Sequence, residues 1–349
     1  MLFVRGLLRM TAATPCPPRL VIWETEELVA FLHPRPWTPG TTVLTQKARG
    51  GPSSLFQVPE REFLSLLLAA RIVGSLLCER LGVRRCALLH YPERGGGGVE
   101  ECGGPPQLRL LPLHGLEDAW RPHLAAEEDF QPHDPGYCTS KSGPRWDAAR
   151  LEAMRQRVRA KLSAPQQQAP PSFAFHGEDP KHPGLFSRIV RGEEEQQWRV
   201  WEDEGHVAFL TPFPNAPGLT VVVPRRPLTS DILRLEEPDY RALTLATRRA
   251  ARLLQESLGA RAVALIFEGF EIDYAHAKLI PLTQPEGGDN DDVTQSLPST
   301  PPPHPPPPPE FCDIYPGYVT SADGPLASPE SLREMQTTLT EACRGRHDL

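Results

Sequence analysis

Three residues at alternate positions late in the chain, Tyr274, His276 and Lys278, could together handle a phosphate group. On a β-strand alternate side chains share a face. The spacing therefore sets an imidazole between a phenol and an ammonium, each about 7 Å away. An imidazole nitrogen can attack phosphorus, and a neighbouring cation can neutralise charge on the phosphoryl oxygens. By alternation alone the plainer reading is preferred: a half-exposed strand whose solvent face carries Tyr, His and Lys. Ala275, Ala277 and Leu279 would then point into the core. Asp273 is expected to face away from the imidazole. His114, His176, His182 and His206 read as surface histidines.

The elements that must hold this row are short strands and one long helix. Val207 to Leu210 and Leu219 to Val223 are apolar runs bounded by Pro and Gly, and read as two strands joined by a turn. Apolar residues recur with helical period between Glu237 and Ser257, and Gly259 supplies a stop. Ala262 to Phe267 and Tyr274 to Leu282 read as a third and a fourth strand. Ser328 to Cys343 reads as a terminal helix, with Ser328 as cap and Pro329 at its first position. Strands with one central helix and short connections predict an α+β domain with an antiparallel sheet.

The chain also repeats itself. Trp23 to Val43 aligns without a gap on Trp201 to Val221, more than half of the positions being identical. Leu77 to Glu93 matches Leu254 to Gly269, Gln107 to Leu113 matches His276 to Leu282, and Pro135 to Pro144 matches Pro316 to Pro325. Four matches in one order predict two tandem copies of one domain. The expected organisation is a tail over 1–19, a first domain over 20–162, a Pro/Gln-rich linker over 163–175 and a second domain over 176–349. The second domain carries a disordered Pro-rich loop over 284–309. In the first copy Gln107 replaces His276 and Arg109 replaces Lys278, and an amide is a poor nucleophile.

Composition narrows the classes. The 349 residues suit two domains. The net charge of −7 argues against a nucleic-acid partner, and the absence of a long apolar run argues against a membrane span. Seven scattered cysteines without a CxxC predict reduced thiols, no metal site and a cytoplasmic protein. The Arg5, Arg9 and Arg19 start gives a mitochondrial presequence as the alternative.

The second copy resembles the histidine-triad (HIT) superfamily of nucleotide hydrolases and transferases. The likeness rests on FSRIVRGE (Phe186 to Glu193), the Pro214 to Gly218 turn into Val221 to Pro224, the long helix ending in Leu-Gly, and the closing motif before Pro281. The family's His-x-His-x-His reads here Tyr274-x-His276-x-Lys278, a divergent form that Tyr315 to Pro325 accompanies in one branch. The resemblance implies a nucleotide or nucleotide conjugate as ligand; no cofactor is expected, a divalent cation carried by the nucleotide being the alternative. It makes His276 the nucleophile at an α-phosphate, with Lys278 and Tyr274 beside it and Asn215 near the nucleoside. Glu271 stands where the family often has Gln or Ser, and would repel phosphate unless turned away. The two copies would form an intramolecular pseudo-dimer with one competent site. The alternatives are a non-catalytic HIT-fold binding or scaffold protein and, by analogy with the fused uridylyltransferase branch, a nucleotidyltransferase acting on a sugar phosphate.

Overall fold

The structure is a computed structural model and describes residues 19–48, 50–92, 104–116, 127–194, 197–285 and 309–341. Residues 1–18 of the Arg-bearing start, most of the Pro-rich loop and residues 93–103 lie outside them. Among the described residues no helix is long and apolar enough to cross a membrane.

The chain is α+β, built on one antiparallel sheet of ten strands. The first half contributes β1 (Val21–Glu24), β2 (Leu28–Leu32), β3 (Thr42–Gln46), α1 (Glu60–Leu81), β4 (Cys86–His90), β5 (Gln107–Pro112) and α2 (Ala148–Arg159). A short α3 (Ala164–Gln168) follows. The second half contributes α4 (Leu185–Arg191), β6 (Arg199–Glu202), β7 (His206–Leu210), β8 (Thr220–Pro224), α5 (Glu237–Leu258), β9 (Ala262–Phe267), β10 (Ala277–Leu282) and α6 (Pro329–Thr340). The strand order is β1-β2-β3-β5-β4-β9-β10-β8-β7-β6, so the two halves run outward in mirrored order from the β4–β9 seam. Register repeats as well: Lys278 lies opposite Val221, and Arg109 lies opposite Val43.

Both faces of the sheet are covered, which explains strands buried along their whole length, such as AVALIF in β9. On one face α1 and α5 pack over alternate strand residues, Leu88, Leu110, Leu265 and Leu279 among them. Their apolar stripes face the sheet at helical period, and each helix stops at a glycine in the left-handed region, Gly82 and Gly259. The other face buries Leu89, Leu111, Ile266 and Ile280 under α4 and irregular chain.

The closing segments are exchanged. Helix α2, at the end of the first half, packs on α5 and β6 of the second. Helix α6 packs on α1 and β1 of the first. The two PGY segments cross between the halves, where Thr139 and Thr320 form a bridge. Ser140 N–H donates to the Val319 carbonyl (2.9 Å) and Ser321 N–H to the Cys138 carbonyl (2.9 Å). The stretch between the repeats also differs from the expected loose linker. Ser163 and Gln166 close a capping box on α3, and the Ser172 carbonyl accepts from both Arg199 (2.6 Å) and Arg225 (2.8 Å).

One buried histidine ties the seam strand to its surroundings. His90 Nε2 accepts from the Leu55 N–H (2.9 Å), so Nδ1 carries the proton and donates to the Gln107 carbonyl (2.9 Å). Burial lowers its pKa from 6.5 to about 4. Between those values the unfolded chain binds a proton that the folded chain refuses. His90 therefore contributes stability that is fully present above pH 6.5 and lost as pH falls toward 4, by up to ~3 kcal/mol. Urea unfolding across that range is expected to show the loss, and His90→Leu should remove part of the slope while lowering stability at neutral pH.

Candidate active site

His276 sits just before β10, not within a longer strand from Tyr274. The backbone turns first: Tyr274 N–H donates to the Ile272 carbonyl (2.8 Å) and Ala275 N–H to the Leu228 carbonyl (2.8 Å). This separates Tyr274 from the expected row. Its hydroxyl donates to the Pro224 carbonyl (2.9 Å), and its ring meets Phe186 edge-on at 5.7 Å. Burial raises the phenol's pKa. Tyr274 meets the His276 ring through its backbone carbonyl, both rings pack on Phe186, and the Tyr274 hydroxyl is not presented beside the imidazole.

His276 is 5% exposed and lines a cleft of about 650 Å³. Its Nδ1 lies 2.7 Å from the Tyr274 carbonyl. A carbonyl can only accept, so Nδ1 holds the proton and the Nε2 lone pair is free. The Phe186 ring packs edge-on at 5.2 Å and fixes the imidazole plane. Burial, helped by the Lys278 charge, lowers the His276 pKa from 6.5 to about 4. The ring is therefore neutral at pH 7, the form in which it can attack an electrophile.

Lys278 shares the cleft, on the sheet face opposite α5. Its ammonium donates to the Ser140 carbonyl (3.2 Å) and lies 3.8 Å from Glu271. Glu271 thus points into the cleft rather than away, and the adjacent ammonium offsets its charge. Ala275, Ala277 and Leu279 lie in the core beneath the helices, as strand alternation requires. Asp273 is turned elsewhere, accepting from Ser230 N (3.2 Å) and Oγ (2.8 Å). His206 is buried rather than exposed, with Nδ1 3.2 Å from Asp203.

Asn215 does not line the cleft. Its side-chain NH2 donates to the carbonyls of Thr139 (2.7 Å) and Lys141 (2.9 Å), and its backbone carbonyl accepts from Gln131 N–H (2.8 Å). The turn that carries it serves as a clamp for residues 139–146 of the first half. Gly143 N–H donates to the Phe213 carbonyl (3.2 Å) and Trp146 N–H to the Pro212 carbonyl (2.9 Å). Held this way, the segment lays Ser140, Lys141, Ser142 and Arg145 along the cleft as a strap. These first-half groups were not among the candidate residues read from sequence.

The remaining walls are largely apolar, with Glu194, Gln197 and Thr211 among them. Leu185, Phe186 and Ile189 come from α4, Phe209 and Val221 from the sheet, and Phe213 stands 43% exposed at the edge. A flat apolar group and an anionic group can therefore lie side by side, the anion toward Lys278 and the strap. Among the described residues no cluster of His, Cys, Asp or Glu could hold a metal ion.

The mirrored location in the first half has a different content. Arg109 donates to the Ser321 carbonyl (2.6 Å) and pairs with Asp323 (3.1 Å), so an acid of the crossing segment occupies the cation there.

No protein-family model matches the chain, and no curated protein sequence matches it. Similar solved structures are a uridylyltransferase, 13% identical over 99% of this chain and 95% of that one, with a TM-score of 0.42. Another is an ADP-glucose phosphorylase from Arabidopsis thaliana with bound ADP-glucose, 8% identical over 91% of this chain and 83% of that one, with a TM-score of 0.41. A Streptococcus mutans protein is 26% identical over 33% of this chain and 78% of that one, with a TM-score of 0.28.

Proposed function

We propose that the chain is a tandem HIT-like, nucleotide-binding protein in which His276 attacks the α-phosphate of a nucleotide conjugate. The observation that carries this reading is the state of His276: neutral, with Nδ1–H anchored on a backbone carbonyl and Nε2 free in a cleft beside an ammonium. In the step proposed, the Nε2 lone pair forms the N–P bond as the bond from phosphorus to the leaving oxygen breaks. Water or a second acceptor then takes the nucleotidyl group from the imidazole. Lys278 offsets charge on the phosphoryl oxygens in both ground and transition states.

Proton supply narrows the leaving group. The Tyr274 hydroxyl is spent on Pro224, and the Lys278 ammonium already donates to the Ser140 carbonyl and faces Glu271. A leaving group that departs as a stable phosphate anion needs no proton at that moment, unlike an amine or a sugar hydroxyl. On the strap Arg145 is available to such an anion, while Lys141, which also lines the cleft, is paired with Glu127 (3.6 Å) and stacked on the Tyr318 ring (4.2 Å). The favoured substrates are therefore dinucleoside polyphosphates and nucleotide sugars, ahead of phosphoramidates. The duplicated halves act as a pseudo-dimer, a reading supported by mirrored strand order and repeated register. In it the first half lacks a nucleophile but furnishes part of the second half's cleft.

The test is turnover of those three substrate classes by the full chain. Cleavage of phosphoramidates alone would defeat the leaving-group assignment, and failure to bind any nucleotide would defeat the function. Glu271, facing Lys278 inside the cleft, favours the second reading, a binding protein without turnover. Wild type that binds nucleotide and cleaves none of the three would establish that reading instead. Lys278→Met is expected to weaken binding and slow turnover, each about tenfold or roughly 1.4 kcal/mol, because its cation meets the phosphate throughout. Isothermal titration and initial rates separate the two effects.

A further inference from the structure

Away from the cleft, two cysteines of the first half face one another. Cys78 lies in the last turns of α1 and Cys86 opens β4, with their sulfurs 3.8 Å apart. Both line a cavity of about 250 Å³ that also carries Ser75, Asp231 and Arg234. Cys78 is half-buried, whereas Cys86 is buried and its thiol points at the Gly74 carbonyl (3.8 Å). One sulfur is reachable by a small solute and the other waits behind it. We propose that Cys78 and Cys86 form a reversible redox pair, in which a hydroperoxide oxidises Cys78 and Cys86 resolves it to a disulfide.

The chemistry balances within these groups and the peroxide. The Cys78 thiolate attacks a peroxide oxygen, the O–O bond breaks, Cys78 becomes a sulfenic acid, and the expelled hydroxide or alkoxide leaves as water or an alcohol with the proton the thiol gave up. The Cys86 sulfur then attacks the Cys78 sulfur. An S–S bond forms, the S–O bond breaks, and hydroxide departs as water with the Cys86 proton. Two electrons pass from the thiols to the peroxide, and a dithiol reductant returns them. The surroundings suit the assigned order. The hydrogen bond with the Cys86 thiol, with smaller help from Arg234 and Arg85, holds the Cys78 pKa below the usual thiol value, while the same contact and burial push Cys86 well above it. The sulfurs must close from 3.8 Å to a bond length of about 2.05 Å, a movement within reach of side-chain rotation and a small shift at the helix end. The bond would tie the end of α1 to the strand that forms the seam with β9.

The test uses the full chain with Cys16, Cys102 and Cys343 replaced by Ser. Cys138 and Cys312 are kept, the first buried and the second half-buried. Brief treatment with hydrogen peroxide is expected to remove the mass of two hydrogen atoms. Proteolysis should then yield a Cys78–Cys86 cross-linked peptide that dithiothreitol separates. In Cys86→Ser the intermediate should persist and be trapped by dimedone on Cys78. Cys78→Ser, which changes the half-exposed partner, should abolish the cross-link if the first variant fails to fold. The proposal is overturned if Cys86 remains a free thiol while Cys78 proceeds to sulfinic acid, or if Cys312 is oxidised before Cys78.

Discussion

His276→Ala is expected to lower turnover by at least about a thousandfold while leaving nucleotide affinity within about tenfold. The asymmetry follows from what the side chain does. In the proposed reaction Nε2 forms the bond to phosphorus, whereas ground-state binding would rest on the apolar walls, Lys278 and the strap. Removing the ring also deletes its edge contact with Phe186 and frees the Tyr274 carbonyl, so some stability is lost. A melting curve recorded beside the rates shows whether the fold persists. The pH profile supplies an independent signature. Because the folded pKa is lowered to about 4, the neutral, nucleophilic ring is present throughout pH 5–8 and is lost only as pH falls through that value. Single-turnover rates limited by attack should therefore stay level through pH 6.5, where an ordinary histidine would already fail. A break near 6.5 that His276→Ala abolishes would contradict the buried, neutral state described above.

Much of the architecture is legible in the chain because it is written in local patterns. The apolar runs of β7, β8 and β9 and the stripe of α5 report which faces are buried, and Gly259 marks where a helix must stop. Ser328 caps α6 through the Ser331 N–H (3.1 Å), as its Ser-Pro start predicts. The self-similarity of Trp23–Val43 and Trp201–Val221 corresponds to the mirrored sheet order. His276 and Lys278 do come together in one cleft, but Tyr274 and Asn215 do not join them. Alternation holds only while the chain stays extended, and the turn at Ile272–Tyr274 breaks it. The Asn215 turn has the composition of an exposed loop, yet its amide is consumed by backbone carbonyls from residues 76 and 74 positions away. Exchange of the closing segments leaves no trace in periodicity, because PGYCTSKSGP has the same local pattern whichever half it covers. The nearest signal was its match with PGYVTSADGP, which marks both segments as repeated parts without saying where they lie.

Gly143→Ala is expected to cost turnover about a hundredfold, although residue 143 bears no chemistry, because it loosens the strap that completes the cleft. A Cβ at that position would lie 2.0 Å from the Pro214 carbonyl oxygen, a backbone atom that cannot rotate away. The strap must lift, lengthening the Gly143 to Phe213 and Trp146 to Pro212 hydrogen bonds and pulling the Ser140 carbonyl from Lys278. Overpacking of this kind costs about 1–3 kcal/mol, modest against the sheet and both cores. The Lys141 and Arg145 side chains, which line the cleft, would be displaced together. The fold contains its own control. Gly324 occupies the mirrored position on the other crossing segment, where a Cβ would meet the Pro36 carbonyl oxygen at 1.9 Å. Its N–H donates to the Arg35 carbonyl (3.1 Å), as Gly143 donates to Phe213. Gly324→Ala should therefore lower the melting temperature by a similar amount but perturb the mirrored location of the first half, where Gln107 stands at the position of His276. Turnover should fall far more in Gly143→Ala than in Gly324→Ala at matched stability. Equal losses would mean that both substitutions act through the shared bridge at Thr139 and Thr320, and that the strap's own groups do not serve the His276 cleft.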